Sequence, residues 1–335
     1  MLKPGKSTTF LFLALGGAVL ALVAARVDLG AAAAAAASVG WGLAAIALFR
    51  LLPIGFDAAG WRALIPGRVP PNLHWIWLLR WIGESVNTLL PVAQVGGDVV
   101  RARLLRRPGK SGAPAAASVV ADFTVGLAAQ AAFALFVTLL LAVQVGGGTE
   151  LAGTGFALAG AAVLFGLFYL AQRRGLIAGA ARLLSRAVGA RAAGFAASAR
   201  EVDGAVRDLY GDRARVGACA AWRLAGWFVR AGEVLLIAHY LDLPMGIAGA
   251  LVIEGMTHAV RSAAFLLPGA LGAQEAGVVA VCVLLGLPAE AGLALALVKR
   301  LRELAVGLPG LLAWMVVERR RAGAAALAPT GGKGA

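Results

Sequence analysis

Charged residues are scarce in this chain of 335 residues: Asp, Glu, Lys and Arg make up 14% of it, and apolar residues make up 60%. About a quarter of the residues in a soluble domain are charged, so this composition argues against one. Apolar runs of about 20 residues recur instead, the length that crosses ~30 Å of hydrocarbon. They are continuous rather than alternating, unlike the strands of a membrane β-barrel. The sequence therefore predicts an all-α polytopic integral membrane protein.

Cysteine is equally rare. Cys219 and Cys282 both lie in apolar runs, which favours two buried hydrophobic side chains over a disulfide or a metal pair. Glu254 and His258 lie on one helix face, but no complementary His/Cys cluster accompanies them, so no metal site is predicted. A Gly-Lys-Ser/Thr phosphate loop and a nucleophile elbow are also lacking, which argues against direct ATP drive. Neither a cofactor nor an enzyme activity is predicted.

Positive charge exceeds negative charge, with 31 Lys and Arg against 17 Asp and Glu. The Arg residues lie mostly in loops between apolar runs, as the positive-inside rule requires, so no nucleic-acid partner is predicted. The most basic loop, 173–215, contains nine Arg and four acids, and its apolar residues recur every three or four positions. It is expected to form either an amphipathic helix on an anionic membrane surface or a solvated basic linker.

Six apolar segments have the length and continuity of single spans. The first follows two lysines, so it is either an uncleaved helix, which we favour, or a signal peptide. The second is expected to end at Pro53 and to lead into a polar connector. The final residues, 318–335, are expected to be disordered. The predicted spans cover about 7–27, 31–52, 113–143, 154–171, 216–241 and 290–317.

Two polar segments interrupt this pattern and resemble each other. Residues 89–98 and 266–275 both begin Leu-Leu-Pro, contain Gly and Gln, and place a carboxylate, Asp98 or Glu275, seven residues after the proline. Unpaired charges at mid-bilayer cost roughly 2.5–3.5 kcal/mol, so these segments need partners, a cavity or a ligand. They are predicted to form broken or re-entrant helical hairpins at about 74–100 and 247–287; two kinked spans are the alternative.

The loop charges then give the two halves opposite orientations. If the basic loops 101–110 and 173–215 are both cytoplasmic, each half contains three spans and one hairpin. This is the inverted-repeat architecture of transporters, in which matching broken helices mark the binding site. The predicted repeats are residues 1–150 and 151–317, with both termini in the cytoplasm.

The same motifs resemble a known family. Glu-Ser-Val-Asn-x-Leu-Leu-Pro-x-x-x-x-Gly-Gly-Asp-x-x-Arg at 84–101 and Leu-Pro-Gly-x-Leu-Gly-x-x-Glu at 267–275 resemble the flippase-like membrane domain of lysylphosphatidylglycerol synthases. The resemblance covers about residues 8–317 and is nearest to the stand-alone, hopanoid-biosynthesis-associated (HpnL) branch, mainly over 84–104. It implies movement of lipid between the leaflets of a bacterial cytoplasmic membrane. The aminoacyl transfer of two-part synthases belongs to a soluble domain, which the short segment after residue 317 is not expected to form.

The predicted substrate-binding site lies between the two breaks. Asp98 and Glu275 would contact a cationic headgroup or carry a proton; alternatively, each would cap a helix N-terminus. Arg101 would hold a lipid phosphate, or would be only a positive-inside residue. The predicted site residues are Glu84, Asn87, Pro91, Gln94, Asp98, Arg101, Arg261, Pro268, Gln274 and Glu275.

The repeat also predicts charge pairs. An offset of 177 residues places Glu84 on Arg261 and Asp122 on Lys299, and the members of each pair have opposite charges. We expect Glu84 and Arg261 to pair across the centre of the molecule. The alternative is pairing within one helix, between Lys299 and Glu303 and between Arg230 and Glu233.

These features predict a lipid translocase that moves or binds a polar-headgroup lipid, with hopanoid-related or aminoacyl-phospholipid-related lipids as candidate cargo. The first alternative is a lipid-modifying enzyme with Asp98 and Glu275 as its acid and base, although the sequence offers no clear nucleophile or metal site for it. The second is a non-transporting partner of lipid-biosynthesis enzymes, which would contact them through the loop 173–215. The expected partners are therefore a membrane lipid and such enzymes.

Overall fold

A computed structural model describes residues 29–67, 70–90, 96–106, 111–145, 193–263 and 272–326. Every regular element in these ranges is a helix, which confirms the all-α class. The predicted spans 7–27 and 154–171, residues 173–192 of the basic loop and residues 327–335 of the tail lie outside the described residues. The rest of the loop is mainly helical, at Ala193–Gly211. The helices are α1 (Leu29–Ser38), α2 (Gly42–Leu64), α3 (Leu73–Leu89), α4 (Gly96–Leu105), α5 (Ala113–Val145), α6 (Ala193–Gly211), α7 (Arg213–Tyr240), α8 (Ile247–Ala263), α9 (Ala273–Leu284) and α10 (Ala289–Ala326).

Two helices in the described ranges are long and apolar enough to cross a membrane, α2 and the part of α5 at Ala113–Leu141. The helices α7 and α10 are longer than α2, with 28 and 38 residues, but both contain several charged side chains. The number of spans and the inverted relation between the two halves therefore stay predictions.

The helix α2 corrects a predicted boundary. The sequence predicts a span at 31–52 that ends at Pro53, but the chain turns at Gly40, where φ is +50°, and then continues as a helix through Pro53 to Leu64. A proline removes one helical hydrogen bond. Burial of the following turns, with Ile54 and Asp57 both nearly inaccessible, keeps the helix intact. The predicted polar connector is thus largely part of α2.

The first broken segment is a pair of antiparallel helices, α3 and α4. Asn87 accepts a hydrogen bond from the backbone N–H of Gly97 at 2.7 Å, and four residues earlier Gly83 lies against Arg101. A Cβ added to Gly97 would lie 2.0 Å from the carbonyl oxygen of Gly83, so the two backbones touch. The predicted basic loop begins later than expected, because α4 extends to Leu105 and includes Arg101.

The second broken segment has the same form. In α8 and α9, Val260 packs against Gly277, and Arg261 donates to Gln274 at 3.5 Å, so this pair is also antiparallel. The helix α9 begins after Gly272, which has a φ of +78° and donates its backbone N–H to the side chain of Glu275 at 2.8 Å. Glu275 therefore caps the helix that follows the break, as one of its two predicted roles proposes.

The helices α2 and α7 pack closely along an antiparallel interface. Gly226 lies against Phe56 and Gly232 against Phe49, and a Cβ at either glycine would crowd the facing ring or its Cβ. Small residues of this kind let membrane helices approach each other. The approach brings the charged residues of α2 next to those of α7.

Candidate functional site

A cavity of about 240 Å³ lies between the two hairpins and α2, α5, α7 and α10. Most of its lining is charged, which is unusual in a domain built from apolar helices, where ionised groups need compensating partners. The lining cations are Arg50, Arg80, Arg101, Arg223, Arg230, Arg261, Lys299 and Arg302, and the lining carboxylates are Asp57, Glu84, Asp98 and Glu303.

Asp57 of α2 is the carboxylate at the α2–α7 interface, and its side chain is fully buried. Arg230 contacts its Oδ2 at 2.5 Å, Arg223 its Oδ1 at 3.1 Å and Arg80 its Oδ2 at 3.3 Å. Three guanidinium groups from two helices thus share one carboxylate, which offsets part of the cost of burying each charge.

Asp122 of α5 is a second carboxylate with three arginine partners. It is also fully buried and accepts contacts from Arg223 at 2.8 Å and from Arg80 and Arg101 at 2.9 Å each. The predicted pairing of Asp122 with Lys299 is therefore wrong. Arg80 and Arg223 each bridge Asp57 and Asp122, so the two carboxylates belong to one network.

Glu84 does not pair with Arg261 as predicted, although both line the cavity. Glu84 contacts Arg50 of α2, and Arg261 contacts Glu303 of α10 at 3.0 Å. Arg50 also reaches Glu233 at 3.5 Å. Each of the two residues is thus paired with a helix outside the hairpins, α2 for Glu84 and α10 for Arg261, rather than with the other hairpin.

The predicted pairs within single helices are wrong as well. Glu233 binds Arg302 of α10 at 2.7 Å, and Arg230 binds Asp57 of α2 at 2.5 Å. Lys299 binds Glu254 at 2.6 Å. In each case a partner from another helix, already buried at the interface, provides the opposite charge.

The carboxylates that follow the two breaks are both held by arginines. Asp98 contacts Arg101 one turn later in α4. Glu275 contacts Arg300 of α10 at 2.5 Å in addition to the Gly272 N–H. Arg101 itself is 2% exposed, so it is a buried member of the network rather than a loop residue at the membrane surface.

Most of the predicted site residues that the structure describes meet at one place. Six of them line the cavity, whereas Glu275 does not. The three others, Pro91, Gln94 and Pro268, lie outside the described residues. The cavity-lining six are Glu84, Asn87, Asp98, Arg101, Arg261 and Gln274.

Sequence reasoning missed Asp57 and Arg80. The missed signal is that Arg50 and Asp57 lie seven residues apart, on one face of a mostly apolar helix. Placing the end of the span at Pro53 assigned Asp57 to a solvated connector. Arg80 lies four residues before Glu84 on α3, so it faces the same side of that helix.

Glu254 is shared between His258, at 3.1 Å, and Lys299. Lys299 thus already provides the opposite charge for Glu254. Within the described ranges, no group of three or more His, Cys, Asp or Glu side chains is arranged to hold a metal ion. The chemistry that this arrangement supports is the binding of a charged or dipolar group by fixed guanidinium and carboxylate side chains.

Comparison with known proteins gives one result. No curated protein and no solved structure matches the chain. The sequence model of one family, described as Lysylphosphatidylglycerol synthase TM region, matches residues 10–310. The protein therefore belongs to this family of membrane domains, which is related to lipid biosynthesis or flipping.

Proposed function

We propose that this protein is a lipid translocase that carries a polar headgroup between leaflets through the cavity. The observation that carries the proposal is the position of this charged cavity: it lies between two helical hairpins of a membrane domain. A headgroup that crosses the hydrocarbon core without protein contacts loses its hydration, which makes unassisted flipping slow. Fixed arginines and carboxylates would replace that hydration and lower the barrier.

In the proposed mechanism, the two helical hairpins are the elements that move. Each hairpin contributes polar residues to the cavity from one side: Glu84 and Asn87 from α3, and Arg261 and Gln274 from α8 and α9. In the proposed architecture the halves have opposite orientations, so each hairpin would open the cavity towards one leaflet in turn. Both termini would lie in the cytoplasm of a bacterium, and the domain would span its inner membrane.

The likeness to the hopanoid-associated branch makes hopanoid-related lipids one candidate cargo, and the family as a whole makes aminoacyl-phospholipid-related lipids another. Lipid-biosynthesis enzymes that release such lipids on one side of the membrane would be the natural partners. The basic loop 173–215 would be the contact surface for them.

The test is reconstitution of the full chain into liposomes with fluorescent phospholipid, followed by reduction of the label in the outer leaflet. We expect the wild type to expose nearly all of the label, and empty liposomes about half. Glu84→Gln and Arg261→Gln should slow the movement at least tenfold, because each would remove a charge at the cavity surface. Glu201→Gln, at an exposed position of α6, is the matched control and should behave as wild type.

The same preparation separates the alternatives. If no candidate lipid moves with the wild type, the translocase proposal fails. If mass spectrometry of the liposomes reveals a chemically altered lipid, the protein is an enzyme of lipid modification instead.

A further inference from the structure

The arginines at the cavity surface are not all fully bonded. Arg230 is 6% exposed and donates from Nη2 to Asp57 at 2.5 Å. Among the residues that the structure describes, its Nε and Nη1 atoms are buried without a hydrogen-bond partner, and the same holds for Nε of Arg50 and for Oδ1 of Asp57. Buried donors are nearly always bonded in native proteins, because each has lost its hydrogen bonds to water. Both arginines line the cavity, so a ligand there that carries acceptor oxygens is one way to satisfy these donors.

The plane of the Arg230 guanidinium is fixed by its surroundings. Its Cζ lies 4.5 Å from the ring centroid of Trp227, which covers one face of the group. Asp57 holds one nitrogen, and two nitrogens remain. A guanidinium held in this way is suited to a ligand with two adjacent oxygens, since the donors lie in one plane and in a rigid arrangement.

We propose that Arg230, assisted by Arg50, binds the phosphate oxyanion of a lipid headgroup. This inference rests on the proposed translocase function and assigns the charge of the group that the cavity holds. Cations outnumber carboxylates eight to four in the lining, although further carboxylates pair with them from behind it. A cationic headgroup would need an available carboxylate, yet every carboxylate in the lining has an arginine partner: Asp57 has Arg230, Glu84 has Arg50, Asp98 has Arg101 and Glu303 has Arg261. The non-bridging oxygens of a phosphate supply the acceptors that Arg230 lacks.

The experiment measures binding to the purified full chain in a neutral detergent. The probes are phosphatidylglycerol, a diacylglycerol with the same acyl chains, and inorganic phosphate. We expect phosphatidylglycerol to bind and to raise the Tm of the wild type, and diacylglycerol to bind much more weakly. Arg230→Gln should weaken phosphatidylglycerol binding roughly tenfold or more, since a hydrogen bond to a charged group is lost.

Two further variants serve as a fallback for Arg230→Gln and as a control outside the cavity. In Arg230→Gln, Asp57 still has Arg80 and Arg223 as partners, so the fold is expected to persist. If that variant does not fold, Arg230→Lys keeps the charge but not the planar donors, and it should bind the lipid with intermediate strength. Arg319→Gln, at an exposed position near the end of α10, removes the same charge outside the cavity and should bind as the wild type does.

Equal binding of phosphatidylglycerol and diacylglycerol, or equal binding by Arg230→Gln and Arg319→Gln, would overturn the inference. Such a result leaves the translocase proposal intact if the liposome assay still detects lipid movement. Arg230-dependent binding of inorganic phosphate but not of phosphatidylglycerol would overturn the assignment to a lipid headgroup and identify free phosphate as the ligand of the site. Arg230-dependent lipid binding without any lipid movement supports the site and removes the translocase function.

Discussion

At the scale of single residues, the molecule depends on carboxylates shared among several arginines. Asp57 has three cationic neighbours and Asp122 also has three, and both are fully buried. A buried ion pair adds little net stability when it is intact, because desolvation offsets the attraction. Removing one partner is costly, because the remaining charges stay buried without compensation.

This asymmetry makes Asp57→Asn a severe substitution. Among the described residues, it leaves Arg223 and Arg80 with Asp122 alone and leaves Arg230 without a carboxylate partner. We expect a loss of about 3–5 kcal/mol in the free energy of unfolding, as for other broken buried pairs. The measurement is the thermal unfolding midpoint of the purified protein in detergent.

The control for this substitution is Asp212→Asn. Asp212 is exposed and caps α7 by accepting from the N–H of Arg215 at 3.1 Å. Asparagine caps a helix about as well as aspartate, so this variant should unfold close to the wild-type temperature. Similar losses for Asp57→Asn and Asp212→Asn would contradict the assigned role of the buried network.

At the scale of elements, the hairpins depend on close backbone contact. The first hairpin places Gly97 against Gly83, and the second places Gly277 against Val260. Their existence could be predicted from sequence because proline and glycine, when they occur together in a polar segment, disfavour a continuous helix. The boundaries of the broken segments could not be predicted in this way. The helix α2 continues through Pro53, whereas α3 ends at Leu89, shortly before Pro91. The two prolines differ in their tertiary surroundings, which the sequence does not reveal.

Gly97→Ala tests the contact within the first hairpin. The added Cβ would lie 2.0 Å from the carbonyl oxygen of Gly83, so one of the two backbones must move. We expect a loss of about 1–3 kcal/mol, as in other overpacked interiors. Faster amide hydrogen exchange should accompany it in α3 and α4. The unfolding midpoint and exchange mass spectrometry measure both effects.

Gly217→Ala is the matched control on α7. Apart from the backbone of α7 and its two chain neighbours, no heavy atom of the described residues lies within 4 Å of the position that its Cβ would occupy. Alanine favours a helix by roughly 0.5–1 kcal/mol over glycine, so this variant should be as stable as the wild type or slightly more so. A Gly97→Ala protein that matched it would exclude the tight backbone contact.

At the scale of the whole molecule, the predicted orientation in the membrane is the feature to be tested. It follows from the distribution of Lys and Arg between loops. The two native cysteines are both buried, with no exposed surface, so they add little background to thiol labelling. Introduced cysteines can therefore report on the side of the membrane at which a loop lies.

We expect Thr149→Cys to react with a membrane-impermeant maleimide in right-side-out membrane vesicles. Arg213→Cys, at the end of the basic loop, should react only after the vesicles are opened, because basic loops stay on the cytoplasmic side. The extent of labelling is read by a shift in mass. Labelling of both positions from the same side would show that the predicted topology is wrong.

The sequence by itself determined the features that depend on local chemistry. Apolar length, the two breaks and the family motifs at residues 84–101 and 267–275 can be read without a fold, and they predict helices, hairpins and a polar centre. Only the tertiary structure decided which charges meet. Arg50 and Glu233 are separated by 183 residues, and Arg230 and Asp57 by 173. Coulomb attraction depends on distance in space, so the packing of α2 against α7 selects these partners, while an internal repeat in the sequence does not.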